Sequence, residues 1–273
     1  MCRTGPSSAP TRRKVTMRIT VIGLGEAGNI YATALTGAGH EVTGFDPGPA
    51  ATPEGVRRAD SAHTAVAGAE MVLVLTSASV APAVADSVLG ALTPDTVYAD
   101  LTSATPDVMR SLSERVHATG ARFADVAILG PMTIGGAATD LIASGPGAPE
   151  VARVCQALGA DVEALPGEPG EATARKLLRS SLMKPLASVV CEAVVAGRAA
   201  GAEEWVREQI ASQLTGGAEL VDRFLSGTVK HAGRRSEEVR ATADFLDSLG
   251  VPNEMTTASE QTLRRLAANG RQG

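Results

Sequence analysis

The 273-residue sequence predicts a doubly wound α/β domain with a mostly parallel sheet, followed by an all-helical domain. Predicted strands and helices alternate up to Pro166–Gly170, a segment rich in proline and glycine. Such an alternation is typical of a sheet with helices on both faces. The run Met71–Thr76 is almost entirely apolar, as a parallel strand covered on both faces requires. Beyond Gly170 only helical patterns remain.

The first strand–helix–strand unit begins the α/β domain. Arg18–Ile22 is predicted as a short buried strand, and it leads through a glycine-rich turn into a helix over Asn29–Ala38. Glu41–Phe45 is predicted as the second strand, which ends at Asp46.

The alternation then continues along the chain. Further strands are predicted at Met71–Thr76, Thr96–Leu101, Arg122–Ile128, Leu141–Ser144 and Asp161–Ala164. Helices are predicted at Pro106–Ala118, with proline in its first turn, and at Ala148–Leu158. Past Gly170, helices are predicted at Glu171–Ala200, Glu203–Leu214, Gly217–Leu225, His231–Leu249 and Asn253–Ala268. Pro185 is expected to kink the first of these, because proline removes one backbone hydrogen bond.

The domain organisation follows from these patterns. Residues 1–16 hold mostly Gly, Ser, Pro, Arg and Lys, and they lack the apolar segment of a signal peptide. We therefore expect a disordered tail over 1–16, an α/β domain over 17–168 and a helical domain over 169–273.

Composition excludes several classes of function. The sequence is 44% hydrophobic and 20% charged with a net charge of −5, which gives no reason to expect nucleic acid or an anionic membrane as partner. No apolar run reaches the length of a membrane span. The three cysteines and four histidines lack metal-ligand spacing, so we expect no metal and a reducing, cytoplasmic location.

The turn after the first strand has the pattern G-x-G-x-x-G. Gly23 permits a tight turn, Gly25 lets the backbone approach a pyrophosphate, and Gly28 lets the helix pack closely on the strand. The helix N-terminus offers unpaired N–H groups to the phosphates. The turn predicts a Rossmann-type dinucleotide site, whose cofactor-binding residues are Gly23, Leu24, Gly25, Glu26, Ala27, Gly28, Asp46, Thr76 and Ser77.

Asp46 indicates which dinucleotide is preferred. It lies eighteen residues past Gly28, where a carboxylate accepts hydrogen bonds from the adenine ribose and repels a 2′-phosphate. The sequence therefore favours NAD. Arg57 and Arg58 follow Asp46 and offer cations to a 2′-phosphate, so NADP remains open.

Three further segments resemble the β-hydroxyacid dehydrogenases, a family related to 6-phosphogluconate dehydrogenase. Asp100–Pro106 is similar to the family's D-x-S-T-x-x-P segment, and Asp125–Gly136 occupies the place of its glycine-rich substrate loop. Gly170–Lys176 opens a helix as the family's catalytic lysine segment does. The resemblance covers about residues 17–250 and implies a dehydrogenase with Lys176 as general acid/base.

The sequence is most similar to the branch with a DUF1932-type C-terminal domain. Lys176–Lys184 resembles the branch's K-x-x-R-S-x-x-x-K helix, and His231–Val239 resembles its A-x-R-R-x-x-E-M segment. Ser180 stands where better-known members of the family have Asn, and the D-A-P-V-S-G-G loop is only loosely preserved. These departures put the usual substrates in doubt.

Lys176, Ser180 and Lys184 follow one another at four-residue steps. They form a polar stripe on the predicted helix, where each cation lowers the pKa of the other amine. A lysine with a lowered pKa can take the proton of an alcohol during hydride transfer. A solvated helix face is the alternative interpretation.

The resemblance also implies a substrate site. Its predicted residues are Thr102, Ser103, Gly130, Pro131, Ser180 and Lys184. For Thr102 and Ser103, capping of the next helix is an equally good interpretation, and Gly130 and Pro131 have the alternative role of shaping a loop. Arg234 and Arg235 have two interpretations: contact with an anion across a dimer interface, or a structural ion pair with Glu237 or Glu238.

Together these observations predict an oxidoreductase that transfers a hydride between NAD and a small, polar, acidic hydroxy compound. The family resemblance implies a homodimer that forms through the helical domain. One alternative is an imine reductase of the same fold, although such enzymes usually place Asp or Tyr where Lys176 stands. The other is an NAD(P)-binding regulator without turnover.

Overall fold

The computed structural model describes residues 16–102, 104–215, 228 and 230–269, except for the side chains of Lys184, Glu238 and Ala241. The chain divides into two compact units, Met1–Leu178 and Arg179–Gly273. The division lies later than the expected boundary at 168/169, because the first turns of a long helix belong with the sheet. The expected disordered tail lies outside the described residues, apart from Thr16.

The first unit contains an eight-stranded sheet. Its strands are β1 (Arg18–Ile22), β2 (Glu41–Phe45), β3 (Arg57–Arg58), β4 (Met71–Val74), β5 (Val97–Asp100), β6 (Arg122–Ile128), β7 (Leu141–Ser144) and β8 (Val162–Ala164). The strand order is β3-β2-β1-β4-β5-β6-β7-β8. Among the strands of the described residues, only the β6–β7 pair is antiparallel. The prediction of a mostly parallel sheet is confirmed.

Helices cover both faces of this sheet. They are α1 (Glu26–Gly37), α2 (Ala62–Val66), α3 (Ala81–Val88), α4 (Pro106–His117), α5 (Met132–Gly135) and α6 (Ala148–Ala157). One buried cluster joins the sheet to α1 and α6, and includes Tyr31, Leu35 and Val151. A second joins the opposite face to α2, α3 and α4, and includes Val66 and Leu112. The prediction of a doubly wound domain is thereby confirmed.

The described part of the second unit is helical. The long helix α7 (Glu171–Ala199) begins in the first unit and runs into the second, where α8 (Glu203–Gln213), α9 (Ala232–Ser248) and α10 (Glu254–Asn269) follow. Helices α9 and α10 pack against each other. The predicted helix Gly217–Leu225 lies outside the described residues. Helix α7 continues through Pro185 as one element.

Three details differ from the sequence predictions. Strands β4 and β5 are shorter than Met71–Thr76 and Thr96–Leu101, because the chain turns at the sheet edge. The short elements β3, α2, α3 and α5 were not predicted, since they span too few residues for a periodic pattern. By length and composition alone, α7 is the one helix in the described part of the chain that could cross a membrane, whereas the sequence predicted no apolar run of that length.

Candidate functional site

The glycine turn joins β1 to α1 at the carboxyl edge of the sheet. Gly23 has φ of +91°, and a Cβ there would lie 2.5 Å from the Leu75 carbonyl oxygen. A Cβ on Gly28 would overlap the carbonyl oxygen of Gly23, whereas a Cβ on Gly25 would meet no atom within 4 Å. The turn therefore requires glycine at position 23 because of the backbone conformation there, and at position 28 because the helix packs closely on the turn. Gly25 leaves open space where α1 presents its N–H groups, and this geometry fits a pyrophosphate.

Asp46 is tied to this turn. Its Oδ2 accepts a hydrogen bond from the Leu24 N–H (2.7 Å), and its Oδ1 accepts one from the Gly48 N–H (2.7 Å). The carboxylate is half-buried, and each of its oxygens keeps a lone pair for a further donor. The arrangement fits the binding of ribose hydroxyls at Asp46.

The other predicted cofactor residues of the turn differ in exposure. The Leu24 side chain is fully buried, so only its backbone faces the turn. Glu26 is exposed and Ala27 half-buried at the start of α1. Thr76 is half-buried, and its methyl carbon lies 3.0 Å from a Cβ built on Gly23. Ser77 is exposed, and its hydroxyl pairs with that of Ser79 (3.1 Å).

Arg58 binds the loop after Asp46. Its Nη2 donates to the carbonyl oxygens of Asp46 (2.7 Å) and Gly48 (2.9 Å), and its Nη1 donates to that of Ala50 (2.5 Å) and to Thr52 Oγ1 (3.0 Å). Arg57 Nη2 donates to Thr43 Oγ1 (2.9 Å). The Arg58 guanidinium is therefore engaged by loop oxygens, which weakens the interpretation that it receives a 2′-phosphate.

The predicted substrate loop lies beside α1. The Leu129 N–H donates to the Asp140 carbonyl (2.9 Å) and closes the loop, whose short helical segments pack against α1. Gly130 is half-buried and Pro131 exposed. The packing brings this loop to the helix that begins at the glycine turn.

Asp100 and Thr102 form a buried polar group at the end of β5. The Thr102 N–H donates to Asp100 Oδ1 (2.9 Å), while Asp100 Oδ2 and the Thr102 hydroxyl make no hydrogen bond to any described residue. Burial raises the pKa of Asp100 to about 6; the charge of Asp125 adds to the rise, and Thr102 opposes it. Thr102 is only 2% exposed, so its hydroxyl does not lie on an open substrate surface.

The alternative role for Thr102 as helix cap is wrong. Helix α4 is capped by Thr105, whose Oγ1 accepts from the Val108 N–H (3.4 Å). Ser103 lies outside the described residues.

Asp125 connects the sheet to the helix that carries Lys176. Its Oδ2 accepts from the N–H groups of Gly170 (2.9 Å) and Thr173 (3.0 Å) and from Ser144 Oγ (3.3 Å), and its Oδ1 accepts from Thr173 Oγ1 (2.6 Å). Ser144 Oγ in turn accepts from the Ala172 N–H (3.1 Å). Because Asp100 and Asp125 are direct neighbours in the β5–β6 register, this contact lies at the sheet edge where β5 ends.

Lys176 is half-buried one turn beyond Thr173. Ser180 is half-buried on the same helix, but it belongs to the second unit. Lys184 also belongs to the second unit, and its side chain lies outside the described part of the chain. The polar stripe is thus divided between the two units.

The arginine pair Arg234 and Arg235 lies at the start of α9. Arg235 Nη1 donates to Thr228 Oγ1 (2.9 Å), and both arginines line a cavity of about 760 Å³ within the helical unit. Among the described residues, no group of three or more His, Cys, Asp or Glu side chains could hold a metal ion.

Sequence reasoning missed two roles in this site. Asp125 and Ser144 contact the start of α7 across gaps of 48 and 28 residues, and no local pattern signals such a pairing. The sequence identifies Arg58 as a cation, but its carbonyl partners depend on how the loop after Asp46 folds back.

Comparisons with known proteins agree with this geometry. The NAD binding domain of 6-phosphogluconate dehydrogenase matches residues 18–165, and the domain of unknown function DUF1932 matches residues 198–266. No curated protein is significantly similar to the chain.

Solved structures resemble most of the chain. A conserved protein of unknown function with structural similarity to 3-hydroxyacid dehydrogenases is 27% identical, with 93% of this chain and 98% of that chain covered and a TM-score of 0.59. An imine reductase from Streptomyces aurantiacus is 22% identical over 93% and 95% of the two chains, with a TM-score of 0.79. A reductive aminase from Aspergillus terreus, in complex with NADPH and ethyl-5-oxohexanoate, is 23% identical over 94% and 96%, with a TM-score of 0.77.

The family match covers more than half of the chain and coincides with the sheet, its glycine turn and Asp46. The cofactor is accordingly NAD(P), and the predicted family and fold are confirmed. This chain belongs to the family of the NAD binding domain of 6-phosphogluconate dehydrogenase, with a DUF1932 domain following it.

Proposed function

We propose that this protein is an NAD(P)-dependent oxidoreductase of the β-hydroxyacid dehydrogenase type. Its substrate is a small, polar, acidic hydroxy compound, and Lys176 is the general acid/base. The observation that supports this best is the position of Lys176. It is half-buried, one turn beyond a helix start that is bound to the sheet edge through Asp125.

Different residues of this chain bind the cofactor and transfer the proton. The glycine turn and the N-terminus of α1 bind the pyrophosphate, and Asp46 binds the adenine ribose. When bound, NAD(P) supplies the hydride acceptor or donor. Lys176 in its neutral form takes the hydroxyl proton as the substrate C–H bond gives up its hydride, which leaves a carbonyl. In the reverse direction the ammonium of Lys176 returns the proton to the carbonyl oxygen.

Substrate contacts are proposed at the remaining predicted residues. Gly130 and Pro131 are supported by the packing of their loop against α1. Ser180 and Lys184 follow Lys176 at four-residue steps along α7 and suit an acidic group. Ser103 offers a hydroxyl next to the buried Thr102.

We infer a preference for NAD over NADP. The Asp46 carboxylate is held at the turn by two backbone N–H groups, and its charge would repel a 2′-phosphate. The nearby Arg58 guanidinium donates to four loop oxygens, so four of its five N–H donors are already used.

A cofactor-reduction screen of hydroxyacids and related alcohols with NAD and NADP tests the function directly. With the best substrate, Lys176→Ala should lower kcat by about 10²–10⁴-fold, while the dissociation constant of NAD stays within about twofold. Lys230→Ala, which removes an exposed lysine from the helical unit, is the matched control. Unchanged turnover in Lys176→Ala would remove this lysine from the mechanism.

An imine reductase is the second candidate. The likeness to the Streptomyces and Aspergillus enzymes supports it at the level of the fold. Reduction of cyclic imines with NADPH, faster than oxidation of any hydroxyacid, would favour this candidate. If cofactor binds but no substrate of either class turns over, a non-catalytic regulator becomes the better interpretation.

We also propose that two copies of this chain associate through the helical domain, in the cytoplasm. Large apolar side chains along α7 are exposed in the single chain: Leu177, Leu178, Leu182, Met183, Val189 and Val195. Large apolar side chains exposed to this extent are typical of a surface that a partner covers. The alternative is that a membrane covers these side chains. Flotation of the protein with anionic vesicles would favour this alternative.

A further inference from the structure

The N-terminus of α7 is bound by side chains from the sheet. A helix leaves its first N–H groups without partners inside the helix. Here the N–H groups of Gly170 and Thr173 donate to Asp125 Oδ2, and that of Ala172 donates to Ser144 Oγ. Asp125 and Ser144 face each other in the β6–β7 ladder, so two adjacent strands hold one helix start.

Asp125 is buried, and both of its carboxylate oxygens accept hydrogen bonds in these contacts. Its side chain is 0% exposed, and it accepts hydrogen bonds from two N–H groups and two hydroxyls. Hydrogen bonds to a carboxylate are stronger than those between neutral groups, and negative charge at a helix N-terminus is favoured by the helix dipole. The resemblance to the glycine-rich substrate loop suggests substrate contact for the segment that begins at Asp125, but these bonds leave this carboxylate no open side.

Gly170 makes the close approach possible. Its φ is +101°, and a Cβ there would lie 2.9 Å from the Pro106 carbonyl oxygen. The backbone of the helix start therefore fits against α4 and the sheet only with glycine at this position.

The same contacts orient Lys176. In a helix, residues three and four positions apart share a face, so Lys176 lies on the face of Thr173 and Ala172, which are both buried. Arg175 and Leu177, which flank this position on either side around the helix, and Leu178 on another face are exposed. Lys176 accordingly follows the face that is turned to the sheet, which argues against the solvated-face interpretation.

We propose that Asp125, acting through Thr173, is the positioning residue that sets where the Lys176 amine meets the substrate. The inference rests on the proposed function, since it takes Lys176 as the general acid/base. It predicts that weakening the Asp125–Thr173 contact impairs proton transfer while cofactor binding at the glycine turn is unaffected.

Threonine variants test the proposal with little change in shape. Thr173→Val removes the hydroxyl bond to Asp125 Oδ1 and should lower kcat by about 10–100-fold, because small misplacements of a catalytic group are costly. Thr173→Ser keeps the hydroxyl and should stay within about twofold of wild type. The KM for NAD should be unchanged in both variants. Asp125→Asn, which alters more contacts, should lower kcat at least as far as Thr173→Val does.

Thr20→Val is the matched control. Thr20 is also buried and donates to a carbonyl oxygen, that of Ala65 (2.6 Å), but it lies on β1. Equal losses of kcat in Thr20→Val and Thr173→Val would overturn the proposal, because a general loss of stability would then explain both. So would a wild-type kcat and pH–rate profile in Thr173→Val.

Lys176→Ala, measured in parallel, separates this proposal from the proposed function. Unchanged turnover in Lys176→Ala contradicts both, whereas loss of turnover there with unchanged kcat in Thr173→Val contradicts the positioning role alone. A readout without substrate is the acetylation rate of Lys176, with Lys230 as internal reference. It should change at least about threefold in Thr173→Val and not in Thr173→Ser, and no change would overturn the proposal.

Discussion

At the scale of single residues, two carboxylates at the sheet edge have opposite surroundings. Asp46 is half-buried, and each of its oxygens receives a backbone N–H. Asp100 is buried, and one of its oxygens has no hydrogen bond to a described residue. Asp46 is thus suited to bind a ligand as an anion, whereas the charge of Asp100 is costly to the fold.

Asp46→Asn should relax the choice of cofactor. The change removes the negative charge but keeps one oxygen acceptor for the loop. We expect the ratio of the NADP and NAD dissociation constants to fall by about 10-fold or more, measured by fluorescence titration. Glu41→Gln, at the other end of β2 and exposed, should leave the ratio unchanged. An unaltered ratio in Asp46→Asn would contradict the inferred role of its charge.

Asp100→Asn should stabilise the protein near neutral pH. Burial raises the pKa of Asp100 from 3.8 to about 6, so above pH 6 the folded state carries an unfavourable buried charge, and below about pH 4 both states are protonated. The variant should exceed wild type by about 1–3 kcal/mol in free energy of unfolding above pH 6. The difference should vanish as the pH falls from 6 to 4.

Urea denaturation at several pH values measures this effect. Asp95→Asn, an exposed carboxyl before β5, is the control and should show no such dependence on pH. A variant that is less stable than wild type at pH 7 would show that the Asp100 charge is compensated in the fold.

At the scale of elements, the first strand–turn–helix unit was predictable because its contacts are local. The spacing of three glycines predicts the geometry of the turn. The structure shows what a side chain would meet at each of these positions. The start of α7 was not predictable in the same way, because the acceptors for its N–H groups come from β6 and β7. A local pattern can reveal a turn, but it cannot reveal a cap supplied from a distant strand.

Gly28→Ala should disrupt this unit. The added methyl group would overlap the Gly23 carbonyl oxygen, so α1 must move away from the turn. We expect a loss of about 1–3 kcal/mol in stability and at least about 10-fold weaker NAD binding. Gly37→Ala is the control at the other end of α1, where a Cβ meets no atom within 4 Å. Equal NAD affinity in the two variants would contradict close packing at Gly28.

At the scale of the whole molecule, the chain folds as two units joined through one continuous helix. Helix α7 begins in the first unit and ends in the second. Its exposed apolar side chains are hard to reconcile with an isolated chain in water. The proposed homodimer removes this conflict.

Glutamate at both Leu178 and Leu182 should dissociate the proposed dimer. These side chains are 71% and 63% exposed and lie one turn apart on one face, so two added charges would be buried in the interface. Light scattering after size exclusion should give about twice the chain mass for wild type and the chain mass for the variant. Leu214→Glu, at the end of α8, is the control. A monomeric wild type would contradict the dimer proposal.

The sequence by itself determined the glycine turn, Asp46, the order of the long elements and the identity of Lys176 as the candidate acid/base, because each depends on neighbours in the chain or on a motif. Only the tertiary structure decided that Thr102 is buried, that Arg58 binds loop carbonyls and that Asp125 holds the start of α7. Those facts depend on which strands lie side by side. The β5–β6–β7 pairing brings Asp100, Asp125 and Ser144 into one register, and residues so far apart in sequence meet only when the sheet forms.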